Sequence, residues 1–215
     1  SGQYPELARL SSRIDQLHPK DRYAAYYRAL CLPLLDADFQ ATIPALQEQL
    51  RQNGPDPALM SALGREYLRA DLPQLARGWL EKTLKADAGQ EPALRALIAA
   101  ERRLEDSGRA LAACAQYLER FPHDREVRRE YAELLFRKRD YARAAVEIEK
   151  LLPRQPRSAV LRRMLAASYR ASRRSAEAVL LFRALLRENP ASEELLRELP
   201  MALAASGSQP SAVAL

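Results

Sequence analysis

Three arginines recur at a fixed interval: Arg95, Arg129 and Arg163 each stand 34 residues apart. A guanidinium is a planar fork of donors that takes a carboxylate or phosphate through two parallel hydrogen bonds. A row of them points to holding an anion rather than to making or breaking bonds. Residues suited to catalysis are sparse. His18 and His123 each adjoin a proline and lack a Cys or carboxylate at a metal-ligand spacing, so both read as exposed loop residues. Glu147 and Glu149 read as part of a solvated face. The sequence offers no Ser/His/Asp arrangement and no phosphate-cradling glycine-rich loop. The expectation is a chain that is not an enzyme, with no catalytic, cofactor-binding or metal-binding residue.

Charge and composition agree with a binding role. The 215 residues carry a formal charge of +6, and 29 of the 34 basic residues are Arg. That surplus suits an anionic partner but is modest for this length, and no nucleic-acid module stands out, so nucleic acid is not expected. Ala, Leu, Arg and Glu dominate, all good helix formers. No apolar run approaches the roughly 20 residues of a membrane span. Cys31 and Cys114 are too far apart in sequence to meet if contacts run between neighbouring elements, and they read as small buried hydrophobes. Ser1-Gly2 reads more like a cloning scar than a native start. The expectation is a soluble segment, periplasmic or cytoplasmic, that can belong to a longer, membrane-anchored chain.

The elements that position the arginines follow from Ala159 to Pro190. Counting Ala159 as 1, Leu165, Ala166, Tyr169, Ala178, Phe182 and Pro190 fall at offsets 7, 8, 11, 20, 24 and 32. One interval back, the closing proline recurs as Pro156 and then Pro122, and the alanine as Ala144, Ala110 and Ala76. This pattern resembles the tetratricopeptide repeat. The resemblance implies an all-α, right-handed superhelical solenoid of antiparallel helix pairs around a concave groove. About five repeats are expected, with a partial N-terminal repeat and a C-terminal cap.

Taken in order, residues 1–22 read as the second helix of a partial repeat, with Leu7, Leu10, Ile14 and Leu17 at helical spacing. Residues 23–56 form a diverged repeat, disturbed by Pro33 and Pro44. Residues 57–90 return to the pattern. There Gly64 marks a close helix approach, Asp71 is a candidate N-cap and Trp79 a packing residue. Residues 91–124 carry Glu101 where an aromatic is usual. Residues 125–158 and 159–192 follow the pattern well. Residues 193–205 give a helix able to cover the open end of the stack, with Pro200 to be accommodated, and 206–215 read as a flexible tail.

The resemblance also implies which residues face the groove, those at offsets 2, 5, 9 and 12 of each first helix. Among them Arg65, Leu68, Arg95, Arg102, Arg129, Phe136, Arg163 and Arg170 are the candidate partner-binding residues, with Tyr27 a further apolar contact. The implied function is a non-catalytic scaffold that binds a partner protein or peptide, an acidic one above all. Bacterial envelope assembly or polysaccharide secretion is the expected setting. The alternative is a repeat segment that recruits substrate for a larger enzyme or membrane protein. Self-association through a terminal repeat is a further expectation.

Overall fold

The computed structural model describes residues 22–35 and 38–207, together with Glu6, Arg9, Leu10, Arg13 and Gln16. But for those five, the helix expected over Tyr4 to His18 lies outside the described residues, as does the tail beyond Gly207. Every regular element among the described residues is helical. The chain forms two compact units, residues 1–120 and 121–215.

In the first unit the helices are α1 (Arg22–Cys31), α2 (Phe39–Asn53), α3 (Pro57–Arg69), α4 (Pro73–Ala86), α5 (Glu91–Arg103) and α6 (Ser107–Arg120). In the second they are α7 (Arg125–Arg137), α8 (Tyr141–Leu151), α9 (Ala159–Ala171), α10 (Ser175–Glu188) and α11 (Glu193–Ala205). Within each unit consecutive helices pack on one another, and α3 also packs on α5. A short 3-10 turn, Leu32–Leu35, takes up Pro33 after α1. Pro44 and Pro200 both sit inside helices, α2 and α11, which continue through them.

The 34-residue register sets where helices start. Asp56, Asp124, Ser158 and Ser192 precede α3, α7, α9 and α11, and the side chain of each accepts a hydrogen bond from a first-turn amide. Such caps satisfy donors that a helix leaves unpaired, each contributing about 1 kcal/mol. Gln90, the equivalent residue before α5, makes no such bond.

The register also sets how the first helices stop. The amides of Leu72, Asp106, Asp140 and Arg174 donate to Tyr67, Glu101, Leu135 and Tyr169, five residues back. The residues just before them, Asp71, Glu105, Arg139 and Arg173, have φ between 55° and 64°. Their own amides donate three residues back, to Leu68, Arg102, Phe136 and Arg170. This is the Schellman closure, here made four times without its usual glycine. Asp71 therefore does not cap α4, as its sequence position suggested: it is the left-handed residue of the turn, and Leu72 precedes α4 without a side-chain cap.

The core follows the repeat pattern. Ala76, Ala110, Ala144 and Ala178 are all 0% exposed, enclosed by close-packed helices. Four places further on, Leu80, Cys114 and Ile148 are also 0% exposed and Phe182 is 2% exposed. Gly64 has the packing reason its sequence position suggested: a Cβ there would stand 2.7 Å from the Leu80 side chain. Cys31 and Cys114 are buried, unlinked thiols, and burial pushes the Cys31 pKa up. Trp79 is half-buried on α4 with the Lys82 ammonium 4.6 Å from its ring centre.

Glu101, which departs from the pattern, and Glu147, which the sequence places on a solvated face, are both ion-pair partners shielded from water. Glu101 is 2% exposed and its Oε2 lies 2.7 Å from Arg77 Nη2 of α4. Glu147, expected on a solvated face, is instead largely buried between Arg128 and Lys150. Glu149 accepts from the Tyr169 hydroxyl at 2.7 Å and from Arg174 at 2.9 Å. The Arg77–Glu101, Arg128–Glu147 and Tyr169–Glu149 contacts join neighbouring helices, while Lys150–Glu147 lies within α8.

Candidate functional site

In the second unit, α9 places Arg163, Ala167 and Arg170 on one face, three and four residues apart, and leaves room over the two small residues Ala167 and Ala171. Phe136, in the last turn of α7, meets Tyr141 at the start of α8 edge to face, with ring centres 5.3 Å apart. The turn between these helices brings the two rings together. Phe182 of α10, 2% exposed, closes the floor. With Glu194, Leu195 and Glu198 of α11 these residues line a cavity of about 240 Å³.

The electrostatics of this cavity are those of paired charges. Arg163 Nη1 lies 2.8 Å from Glu194 Oε2, and Arg170 Nε lies 2.9 Å from Glu198 Oε2. Glu194 and Glu198 are one helical turn apart on α11, as Arg163 and Arg170 are two turns apart on α9. The cations are therefore already met by the chain's own carboxylates. The Arg163 pair is open to water, at 42% and 66% exposure, so it contributes at most about 1 kcal/mol. Such a pair can exchange one carboxylate for another.

The other candidate residues lie as follows. Arg129, exposed on α7, donates to the side-chain oxygen of Gln155. In the first unit, Arg95 on α5 donates to the Tyr117 hydroxyl at 2.6 Å and to Glu91 at 3.3 Å, with its guanidinium 5.2 Å from the Tyr117 ring centre. Arg102 is exposed and Arg65 half-buried. Leu68 corrects the expectation: at 8% exposure it belongs to the core and presents little apolar surface to a partner. Tyr27, 47% exposed, stands edge to face against Tyr26, their ring centres 5.3 Å apart.

Tyr141, Glu194 and Glu198 escaped the sequence reading. The signal for Glu194 was present, since α11 begins 34 residues after α9 and Glu194 falls at offset 2 of that register. Treating 193–205 only as a cap hid it. Among the described residues no group of three or more His, Cys, Asp or Glu is placed to hold a metal ion. No helix there is long and apolar enough to cross a membrane.

Residues 103–168 match the family model of the tetratricopeptide repeat. Among solved structures the chain is similar to YrrB, described as a TPR protein with an unusual peptide-binding site. Identity is 16%, with a TM-score of 0.70 over 93% of this chain and 99% of that one. MamA of AMB-1 is similar at 18% identity and a TM-score of 0.66, over 82% and 96% of the two chains. A tetratricopeptide repeat protein from Parabacteroides merdae ATCC 43184 gives 18% and 0.57, over 97% and 75%. At these identities the likeness is one of fold. No curated protein sequence matches the chain.

Proposed function

This chain carries tetratricopeptide repeats and has the fold of that family, and from that premise we propose that it is a non-catalytic scaffold holding an acidic segment of a protein partner against α9. The observation that carries the proposal is the cavity beside Arg163 and Arg170, floored by Phe182 and walled by Phe136 and Tyr141. Two guanidiniums meet carboxylates there while the rings and alanines receive an aliphatic side chain. Glu194 and Glu198 act as an internal stand-in, occupying the arginines until a partner's carboxylates displace them. YrrB, of the same fold, is described as having a peptide-binding site, which supports a peptide as the ligand class. The Ala- and Arg-rich composition supports a bacterial chain, and bacteria commonly use such repeat arrays in envelope assembly and polysaccharide secretion, which is the setting proposed.

Fluorescence anisotropy with a labelled peptide alternating Glu and Leu tests the proposal. Arg163→Ala/Arg170→Ala is expected to weaken binding about tenfold or more, as two charge-assisted contacts are lost. Glu194→Gln/Glu198→Gln is expected to strengthen it, because the internal competitor is gone. Equal binding by wild type and both variants would sink the proposal.

A further inference from the structure

A second concavity in the same unit lies away from α9 and has a different chemistry. Pro122, His123, Arg125, Arg128, Lys150 and Arg154 line a space of about 750 Å³, and none of them is a carboxylate. They come from the turn before α7, the first turn of α7, the last turn of α8 and the 3-10 turn Leu152–Arg154 that follows it.

The cations divide into a fixed pair and an open pair. Arg128, 12% exposed at its side chain, is held by the Glu147 carboxylate and the Pro122 carbonyl. Lys150 Nζ lies 2.8 Å from the same Glu147. One carboxylate thus serves two cations. Arg125 and Arg154 are exposed and have no carboxylate partner among the described residues. Asp124, next to Arg125, turns its carboxylate to the amides of Glu126 and Val127. Four cations against one carboxylate leave a surplus that solvent must answer when nothing is bound.

From this surplus we propose that the concavity binds a ligand carrying two or more phosphate groups. Arg125 and Arg154 take phosphate oxygens as planar forks, and Lys150 and His123 supply further donors. Arg128, locked by Glu147, fixes the geometry of the wall. Only Pro122 and the stems of the long side chains offer apolar surface, so a compact polyanion suits the space better than a peptide with aliphatic anchors. A soluble polyphosphate and a diphosphate lipid headgroup share this chemistry.

The test uses the 215-residue chain. Calorimetric titration with inorganic tripolyphosphate is compared for wild type, Arg125→Ala/Arg154→Ala and Arg183→Ala/Arg187→Ala, the last two arginines being exposed on α10 outside both sites. The first double variant removes exposed side chains without internal partners and is expected to bind about tenfold or more weakly. The second carries the same loss of charge elsewhere and is expected to bind as wild type. Co-sedimentation with phosphatidylcholine vesicles, with and without cardiolipin, separates the sources. Capture by cardiolipin vesicles that tripolyphosphate reverses assigns a headgroup, and tripolyphosphate binding without capture assigns a soluble ligand. No binding of either probe overturns the proposal. So does equal weakening by both variants, which would report net charge rather than a site.

Discussion

Replacing Arg77 by Met leaves the Glu101 carboxylate buried without its counter-charge. Glu101 is 2% exposed and Arg77 23%, with 2.7 Å between their charged atoms. Losing one partner of a buried pair costs about 3–5 kcal/mol, and the partial exposure of Arg77 puts this case near about 3. In a chain of this length that is a fall in Tm of roughly 6–12 °C. Glu101 occupies offset 11, where the other repeats have Tyr67, Leu135 and Tyr169, all buried. The pair Arg77→Met/Glu101→Leu restores an apolar residue there and is expected to unfold within about 1 kcal/mol of wild type. Urea unfolding followed by far-ultraviolet circular dichroism, on the wild type, both single variants and the pair, gives the coupling energy directly. If Arg77→Met costs under about 1 kcal/mol, or the pair is as unstable as the sum of the singles, Glu101 is not a desolvated ion-pair partner and the reasoning is wrong.

Arg139, exposed with φ 63°, holds a left-handed conformation that costs a non-glycine residue about 1–2 kcal/mol. Arg139→Gly is expected to raise stability by about 0.5–1 kcal/mol once the extra entropy of glycine in the unfolded chain is subtracted. A urea midpoint unchanged or lowered would contradict it. Burial, with the hydrogen bond to Glu149 next, pushes the Tyr169 pKa up to about 12, against about 10 in an unfolded chain. The folded state thus favours the protonated phenol. Its contribution to stability is complete below pH about 10 and is lost as pH rises through about 12. Tyrosinate absorbance should show a late step near pH 12 that shrinks in Tyr169→Phe, with Tyr26 also titrating near 12. Ionisation of every tyrosine near about 10 would refute it.

Much of the fold was legible because its information is local. The recurring alanines, the apolar residues four places after them and the glycine at Gly64 encode how each helix meets its sequence neighbour. That contact is repeated every 34 residues, so a single pattern is stated several times. The helix stops were less legible, since the Schellman closures use Asp71, Glu105, Arg139 and Arg173 where glycine would have announced them. Here backbone hydrogen bonding overrides residue preference.

The binding residues were legible only by type. Equal spacing put Arg95, Arg129 and Arg163 at one position of three repeats, yet each has a different partner: Tyr117 with Glu91, Gln155 and Glu194. A long guanidinium side chain reaches several acceptors on adjoining helices, and which one it meets depends on helix rotation and rotamer. Sequence by itself determined the repeat, the helix pairs and the surplus of arginine. Tertiary structure alone decided that Leu68 is core, that Glu147 is buried between cations, and that Arg163 and Arg170 are occupied while Arg125 and Arg154 are open. Packing is written as a periodic pattern of size and polarity, whereas the pairing of charges rests on distances between helices that the pattern does not contain.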